Sequence, residues 1–313
     1  MKILILRFSS IGDIVLTTPV IRNLKQQLGA QVHFATKASF GHLLEVNPYV
    51  DRVHLLGSDL WPLIHSLKNE KFDFIVDLHH NLRTKIVKSF VRARSASYNK
   101  LNIEKWLMVN FKINRLPAVH IVDRYMDTVR DLGVKNDGKG LDYFIPPKDE
   151  IEPEQLPPSH RQGYVAYAIG GMHGTKKLPV KRMIELCQRI NGPVVLLGGK
   201  EDTGVGNEVA AAVGANIFNA CGLYNLNQSA SVVKNASRVF SHDTGMMHIA
   251  AAFRKEVFSI WGNTIPAFGM TPYMTAGRIL ENNNLSCRPC SKIGFDRCPK
   301  GHFDCMNKIK FDF

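Results

Sequence analysis

The chain has 313 residues, of which 45% are hydrophobic, and its 40 Lys and Arg against 27 Asp and Glu give a net charge of +13. This apolar content excludes a disordered or fibrous chain, because enough surface can be buried to offset the entropy lost on ordering. No stretch approaches the roughly 18 apolar residues of a membrane-spanning helix, and the N-terminal apolar run is too short for a signal peptide. We therefore expect a cytoplasmic globular protein with two domains of about 150 residues each.

The first half of the sequence alternates short apolar runs with amphipathic stretches. The runs predict strands at 2–8, 32–36, 52–56 and 72–78, and the stretches predict helices at 19–28, 40–46 and 60–67. Thr18 is expected to cap the first helix, with Pro19 at its first position and Gly29 at its end. Strands that alternate with helices in this way indicate a doubly wound parallel sheet.

A proline-rich segment separates the two halves. Five prolines lie between residues 145 and 162, a density that neither a helix nor a central strand accepts. We place the linker at 151–162. Beyond it, the same alternation predicts strands at 164–169, 194–197, 239–241 and 257–261 and helices at 180–189, 207–213, 226–235 and 246–252. The sequence thus predicts two Rossmann-like domains, 1–150 and 163–286, with a cleft between them and a Cys-containing segment, 287–313, at the end.

The first candidate site follows the first predicted strand, at Ser9-Ser10-Ile11-Gly12-Asp13. Ligands of open parallel sheets gather at the carboxyl ends of strands, and Gly12 lets the backbone approach a bound molecule. Ser10 and Asp13 are therefore candidates for substrate contact, although a serine or an aspartate here can also simply cap a helix. The segment lacks the G-x-G-x-x-G fingerprint, which disfavours an NAD-dependent oxidoreductase.

The second candidate site is Asp243-Thr244-Gly245, between the strand at 239–241 and the helix at 246–252. Free amides at a helix N-terminus and the positive end of its dipole bind phosphate, and Thr244 and Gly245 add a hydroxyl and close backbone approach. A carboxylate beside a diphosphate would repel it. We therefore expect Asp243 to contact a sugar or to cap the helix.

A loop with two lysines follows the strand at 164–169. Thr175, Lys176 and Lys177 stand there among glycines, a composition that suits a polyphosphate but is also found in solvated loops. The loop lacks the G-x-x-x-x-G-K-[ST] spacing, so ATP hydrolysis of the P-loop type is disfavoured.

Polar residues also follow the strand at 72–78, where His79, Asn81 and Arg83 lie in one short segment. The adjacent histidines at 79 and 80 diverge on a turn, and no third ligand is near in the sequence. We therefore expect contacts with a polar substrate here rather than a metal.

Four of the six cysteines, Cys287, Cys290, Cys298 and Cys305, lie in the C-terminal segment. The opening C-x-x-C is compatible with structural zinc, while the later gaps fit no standard zinc finger. Disulfides are not expected in a reducing cytoplasm. Zinc binding and free thiols packed in the segment therefore both stay open.

Basic residues are concentrated between Arg83 and Arg115, where nine Lys and Arg face a single acid, Glu104. Such a stretch is expected to attract anions, and Arg92 and Arg94 lie near its centre. An ordinary solvated basic face is the alternative.

Together these motifs resemble those of a known family, the bacterial ADP-heptose lipopolysaccharide heptosyltransferases of glycosyltransferase family 9. The N-terminal RFSSIGDIVLTTPVIRNLK resembles the opening of that family, and VFSHDTGMMHIAAAF followed by WGNTIP resembles its most specific block. DLHHNLR, GTKKLP and LLGGKED lie between them in matching order, and the tail from CRPC to CPKGHFDCM is similar to that of many members. The resemblance spans the whole chain.

The resemblance implies a GT-B fold, with the acceptor bound by the first domain, the nucleotide sugar by the second, and the C-terminal segment packing back towards the first. It implies that Asp13 is the general base and that Lys176 contacts the diphosphate. Asp243, Thr244 and Gly245 match the turn that cradles the nucleotide sugar. Glu201 or Asp202 is expected near the adenosine ribose, and His248 near the donor.

The function implied is inverting transfer of a heptose from an ADP-sugar to the Kdo- and heptose-containing inner core of lipopolysaccharide, with no required cofactor. The anionic, membrane-embedded acceptor accounts for the basic stretch and implies peripheral contact with the inner face of the inner membrane. A transferase of the same fold that uses another nucleotide sugar is the main alternative. A nucleic-acid-binding protein is disfavoured, because the basic residues are spread over both halves and no nucleic-acid module is recognisable.

Overall fold

The computed structural model describes residues 1–313 and contains two separate, fully parallel β-sheets. Contacts divide the chain into two compact units. The first unit comprises Met1–Lys100 and Val119–Phe144, and the second comprises Leu101–Ala118 and Ile145–Phe313. Two parallel sheets in two units confirm the predicted pair of Rossmann-like halves.

The sheet of the first unit has five strands, which are β1 (Lys2–Leu6), β2 (Gln31–Lys37), β3 (Arg52–Leu56), β4 (Phe74–Asp77) and β5 (Arg94–Ser97). Their spatial order is β3-β2-β1-β4-β5. The central strands β1 and β4 are almost wholly buried and apolar, as expected where helices cover both faces of a parallel sheet. The helices of this part of the chain are α1 (Ile11–Val15), α2 (Thr18–Leu28), α3 (Trp61–Asn69), α4 (Leu82–Val91), α5 (Asn102–Phe111) and α6 (Ile121–Met126).

The sheet of the second unit has six strands, which are β6 (Val165–Ala168), β7 (Val194–Leu197), β8 (Ile217–Asn219), β9 (Arg238–His242), β10 (Val257–Trp261) and β11 (Gly277–Glu281). Their order is β11-β10-β9-β6-β7-β8. Its helices are α5, named above, and α7 (Val180–Arg189), α8 (Thr203–Val213), α9 (Leu226–Asn235), α10 (Gly245–Ala252) and α11 (Asp304–Asn307). None of the helices in either unit combines the length and the apolar character needed to cross a bilayer.

Two local predictions about helices need correction. Helix α2 begins at Thr18, so its N-cap residue is Thr17 and not Thr18 as predicted. The Thr18 hydroxyl donates instead to the carbonyl oxygen of Val15, at 2.7 Å. The predicted helix at 40–46 is a 3₁₀ helix at Ala38–Leu43. The predicted end of α2 is confirmed, since Gly29 follows it at a φ of 57°, a conformation that glycine adopts without strain.

The unit boundaries differ from the predicted domain boundaries. Residues 101–118 and 145–150 belong to the second unit, and so does the predicted linker, 151–162. The linker folds into short 3₁₀ turns, and Ile151 and Leu156 bury their side chains in the core of the second unit. Pro153 and Pro158 begin two of these turns, and no α-helix or strand forms in the segment, as its prolines predicted. The apolar residues between the prolines anchor the segment in the core.

The C-terminal segment packs into the second unit. Cys305, Met306, Ile309 and Phe311 are buried in the same core as residues of β6, β9 and β10. Its packing against the first domain stays a prediction. These four side chains complete the hydrophobic core of the second unit.

Candidate active site

The predicted site residues lie where strands end, in both units. In the first unit, β1 and β4 pair in parallel, so the segments that follow them leave the sheet side by side. In the second unit, β6 lies between β9 and β7, and the segments after all three emerge at one edge. Each unit therefore carries its own cluster, which we call the first and the second half-site.

Asp13 in the first half-site forms an ion pair with Arg7, at 2.7 Å between Oδ1 and Nη2. Its other oxygen accepts hydrogen bonds from the backbone N–H of Ser10 at 3.2 Å and from the Ser10 hydroxyl at 2.9 Å. Burial alone would raise the pKa of Asp13, but Arg7 and the Ser10 donors outweigh it and hold the pKa below its ordinary value. Asp13 is therefore a carboxylate at neutral pH. Ser10 is the N-cap residue of α1 and Asp13 lies in its first turn, so this segment also begins a helix.

Arg7 is the functional residue that the sequence analysis missed. Its Nε donates to the carbonyl oxygen of Ser9 at 2.7 Å, and Nη1 donates to the carbonyl of Leu78 and to the Tyr125 hydroxyl. Burial lowers the pKa of Arg7, but Asp13, Tyr125 and Tyr98 together raise it above its ordinary value. A charged residue directly after an apolar strand was the available signal, since such a residue is rarely buried without a partner.

His79 joins the first half-site, while Asn81 has a structural role. The His79 ring packs on the Phe8 ring with centroids 5.5 Å apart, and burial together with the charge of Arg7 lowers its pKa to about 4. Asn81 caps α4, because its Oδ1 accepts a hydrogen bond from the backbone N–H of Thr84 at 3.0 Å. The prediction that Asn81 contacts substrate therefore competes with this capping bond.

The basic stretch does not form one face within one unit. Arg83, Arg92 and Arg94 are exposed in the first unit, whereas Lys112 and Arg115 belong to the second. The chain crosses from one unit to the other at residue 101, which the sequence pattern did not reveal. The arginines at 83, 92 and 94 remain a basic surface of the first unit.

Lys176 and Asp243, predicted from separate motifs, meet in the second half-site. Lys176 Nζ lies 2.6 Å from Asp243 Oδ2, and the same oxygen accepts a hydrogen bond from the Thr264 hydroxyl at 2.8 Å. Asp243 therefore does not cap α10, whose N-cap residue is Thr244. The ion pair removes the repulsion that a lone carboxylate would exert on a diphosphate.

His242, the last residue of β9, fastens the lysine loop to the sheet. Its Nε2 accepts a hydrogen bond from the backbone N–H of Leu178 at 3.0 Å and lies 3.3 Å from the Tyr167 hydroxyl. Burial, together with the charge of Lys177, lowers the pKa of His242 to about 3. His242 is thus neutral and acts as an acceptor that holds the backbone beside Lys176.

Asp202 pairs with the second lysine of the loop, at 3.1 Å between Oδ1 and Lys177 Nζ. It also accepts a hydrogen bond from the backbone N–H of Gly199 at 3.0 Å. A Cβ at Gly170 or at Gly198 would come within 2.8 Å of Asp202, so these positions admit only glycine without a shift. Glu201 is exposed to solvent, whereas Asp202 is buried.

The sequence profile of glycosyltransferase family 9 (heptosyltransferase) matches residues 60–297, which is more than half of the chain. The chain belongs to glycosyltransferase family 9. Among curated relatives, lipooligosaccharide heptosyltransferase 2 of Haemophilus influenzae is 23% identical over 94% of this chain and 93% of its own length. Lipopolysaccharide heptosyltransferase 1 of Pseudomonas aeruginosa is 24% identical over 93% of this chain and 86% of its own.

Solved structures of similar proteins agree with the fold of this family 9 enzyme. A family 9 glycosyltransferase from Veillonella parvula matches with a TM-score of 0.74 at 20% identity, over 90% of this chain and 86% of its own. ADP-heptose lipopolysaccharide heptosyltransferase II of E. coli matches with a TM-score of 0.71 at 20% identity, over 98% of each chain. The likeness confirms the GT-B class of fold that the resemblance implied.

Two residues predicted to contact the donor, Thr175 and His248, are buried. The Thr175 hydroxyl donates to the carbonyl of Phe295 at 2.9 Å and accepts from its N–H at 2.8 Å, so Thr175 ties the lysine loop to the C-terminal segment. His248 is buried inside α10 with 2% of its surface exposed. Thr244 and Gly245, by contrast, stand at the start of α10, where the free backbone amides lie.

The four C-terminal cysteines lie near one another in the second unit, because neighbouring thiols add to burial in raising the pKa of Cys290 and in raising that of Cys305 to about 12. All are free thiols, Cys305 is buried in the core, and Cys287 Sγ lies 3.8 Å from His302 Nε2. The one group of three or more ligand atoms within 4.8 Å of one another is His33, His54 and Glu70, in the first unit. No three cysteine sulfur atoms lie that close, and the structure leaves zinc binding and packed free thiols as the two alternatives for the segment.

Arg288, within the C-R-P-C sequence, gives the segment a structural role. It is buried and donates to the carbonyl oxygens of Gly262 and Thr264 at 2.6 and 2.8 Å, and it pairs with Glu281 at 2.6 Å. Thr264 in turn donates to Asp243. The C-terminal segment thus supports the loop that positions the Lys176–Asp243 pair.

Proposed function

We propose that this family 9 enzyme transfers a heptose from an ADP-sugar to the Kdo- and heptose-containing inner core of lipopolysaccharide. The relatives named above act in lipopolysaccharide or lipooligosaccharide synthesis, and the similarity extends over most of the chain. The observation that carries the mechanism is the ionised Asp13, held by a buried arginine at the end of β1. A transferase that uses another nucleotide sugar is the alternative.

In the proposed reaction Asp13 is the general base of a single displacement. A sugar hydroxyl is a poor nucleophile at neutral pH, so removing its proton as it attacks speeds the reaction by roughly 10²- to 10⁴-fold. The proton passes to the Asp13 carboxylate, the acceptor oxygen bonds to the anomeric carbon, and the bond from that carbon to the diphosphate oxygen breaks. ADP leaves with the electron pair, and the configuration at the anomeric carbon inverts.

The second half-site is proposed to bind the leaving diphosphate. Lys176 Nζ has three donors, and Asp243 orients the lysine without using all of them. The N-terminus of α10, at Thr244 and Gly245, adds free amides and the positive end of the helix dipole. Together they stabilise the charge that develops as ADP departs. Glu201 or Asp202, which follow β7, is proposed to lie at the adenosine ribose.

The acceptor is proposed to bind the first half-site. Ser10 donates to Asp13, Gly12 precedes Asp13 in the sequence, and His79 is close enough for the charge of Asp13 to act on it. The exposed arginines of the first unit, Arg83, Arg92 and Arg94, supply positive charge for the anionic inner core. We propose that this brings the enzyme to the cytoplasmic face of the inner membrane as a peripheral protein. Positive charge near an anionic surface contributes about 1 kcal/mol per residue.

Purified enzyme incubated with ADP-heptose and truncated lipopolysaccharides tests the proposal. We expect transfer to an inner-core acceptor and a rise in melting temperature with ADP, since a ligand of the folded state stabilises it by mass action. Turnover with UDP- or GDP-sugars but not with ADP-heptose would favour the alternative. Neither turnover nor stabilisation by any nucleotide would contradict the proposal altogether.

A further inference from the structure

Helix α5 presents large apolar side chains to solvent. It has no buried residue, although it contains tryptophan and phenylalanine. Ile103, Trp106 and Phe111 are 72%, 54% and 58% exposed, and Ile113, just after the helix, is 46% exposed. The positions 103, 106 and 110 lie on one side of a helix, with 111 beside them. Trp106 and Phe111 pack on each other, with ring centroids 5.2 Å apart, and leave their outer surfaces free.

The opposite side of α5 is fixed to the second unit. Lys105 Nζ lies 5.8 Å from the centre of the Phe268 ring, and Lys112 Nζ donates to the carbonyl oxygens of Cys287 and Pro289 at 3.3 and 2.6 Å. The half-buried Met108 and Val109 lie on the same side as these two lysines, while the half-buried Leu107 lies between Ile103 and Phe111 within the stripe. The exposed apolar stripe is therefore held on a fixed helix and is not part of a loose loop.

The surroundings of the stripe are positively charged. Lys112 and the exposed Arg115 follow the helix directly, and the single acid between residues 83 and 115 is the half-buried Glu104 in the first turn of α5. The whole chain carries a net charge of +13. An occupant of this surface must therefore be apolar at its centre and anionic at its edge.

We propose that α5 lies flat in the headgroup region of an anionic lipid bilayer, with Ile103, Trp106 and Phe111 inserted between headgroups. Tryptophan and phenylalanine on one face with lysine and arginine at the edge are typical of helices that bind at the membrane interface. At 10 residues the helix is about 15 Å long, which suits lying in the interface and is too short for spanning. This inference deepens the proposed function, because it names the surface by which the enzyme reaches a lipid-linked acceptor.

Tryptophan fluorescence tests the insertion of Trp106 directly. Of the three tryptophans, Trp261 is buried and Trp61 is exposed in the first unit, so Trp61→Phe leaves Trp106 as the exposed reporter. Vesicles of phosphatidylcholine with roughly 30% phosphatidylglycerol should shift the emission of this variant to the blue, and added salt should reduce the shift. Unchanged emission with these vesicles would overturn the proposal.

Vesicle flotation with the full chain supplies the matched control. Trp106→Gln/Phe111→Gln should reduce the bound fraction about tenfold or more, whereas Leu223→Gln/Met274→Gln, at exposed apolar residues elsewhere in the second unit, should leave it unchanged. Equal loss in both variants, equal binding to pure phosphatidylcholine, or a dimer that α5 substitutions dissolve would each contradict a lipid surface. ADP binding, measured by calorimetry without vesicles, should be normal in both variants and reports separately on the proposed function.

Discussion

In the first half-site, the Arg7–Asp13 pair buries its cation and leaves its carboxylate the more exposed partner, with side chains 8% and 19% exposed. In the second half-site the Lys176–Asp243 pair does the reverse, because the lysine is 18% exposed and the aspartate 9%. Hydrogen bonds hold the buried partner of each pair, although Asp13 also accepts two from Ser10. Arg7 is held by three oxygen acceptors besides Asp13, whereas in the second pair it is the carboxylate that Thr264 holds.

The difference shows how one kind of ion pair can serve two chemical purposes. The partner that is buried and hydrogen-bonded acts as a fixed support, and the outer partner keeps spare hydrogen-bonding capacity for a ligand. The first half-site therefore presents a carboxylate, which suits the proposed role of Asp13 as the base for an attacking hydroxyl. The second presents a cation, as a departing diphosphate requires.

The largest effect is expected from Asp13→Asn, which keeps the shape of the side chain and removes its basicity. It should lower kcat at least about a hundredfold, while calorimetry should show unchanged ADP binding. Asp131→Asn, at an exposed aspartate of the same unit, is the control and should retain full activity. Near-normal turnover in the Asp13 variant, or a loss explained by lost ADP binding, would mean that the base lies elsewhere.

Lys176→Met tests the cationic side of the comparison. A charge-assisted hydrogen bond is worth about 1.5–3 kcal/mol, so affinity for ADP and for the ADP-sugar should fall roughly 10- to 100-fold. Lys181→Met, at an exposed lysine of α7, should leave ADP affinity unchanged. Melting temperatures must be compared, because the substitution leaves Asp243 with Thr264 as its partner. Unchanged ADP affinity in a folded variant would remove Lys176 from the diphosphate site.

Arg7→Lys keeps the charge but loses the planar fork that grips Asp13 and the Leu78 carbonyl. Because Arg7 lowers the pKa of Asp13, the weaker contact should raise that pKa, and the carboxylate should be lost at a higher pH than in the parent enzyme. We expect kcat to fall about tenfold and the acid limb of the pH profile to move upward. Arg130→Lys, an exposed arginine, is the control. A slower enzyme whose acid limb has not moved would indicate that Arg7 supports the fold alone.

Much of the fold could be predicted because buried parallel strands are continuous apolar runs. Strands β3, β7 and β10 and helices α7 and α9 have the predicted bounds. The elements between residues 79 and 118 could not be predicted in this way, because β5 is a polar, exposed edge strand with the sequence RSAS. Helix α5 buries no residue, so no core contact leaves a periodic pattern in its sequence.

The candidate site could be predicted only in part, because some of its contacts join residues that are far apart in the sequence. Motifs at strand ends identify which residues reach one edge of a sheet, and so Asp13, Lys176 and Asp243 were found. Pairing across the chain is not visible in a motif. The Lys176–Asp243 contact spans 67 positions, and neither it nor the use of the Thr175 hydroxyl by Phe295 could be inferred from spacing.

A smaller effect is expected at the basic surface of the first unit. Arg92→Glu/Arg94→Glu should raise the KM for the anionic acceptor by roughly three- to tenfold and leave the KM for the donor nearly unchanged, because each exposed charge contributes about 1 kcal/mol or less. Lys148→Glu/Lys181→Glu, in the second unit, supplies the matched change in net charge. A change mainly in donor KM would assign this surface to the nucleotide sugar and weaken the division of roles between the half-sites.

The smallest effect is expected from removing divalent metal ions. This experiment tests whether the second half-site neutralises the diphosphate with its own lysine. A metal that bridges a diphosphate needs free carboxylates, yet the two buried carboxylates there are already paired, Asp243 with Lys176 and Asp202 with Lys177. Lys176 and the N-terminus of α10 are proposed to neutralise the leaving group instead. Turnover in EDTA should therefore equal turnover in magnesium within about twofold. Complete loss of activity in EDTA, restored by magnesium, would show that a cation other than Lys176 carries the diphosphate charge.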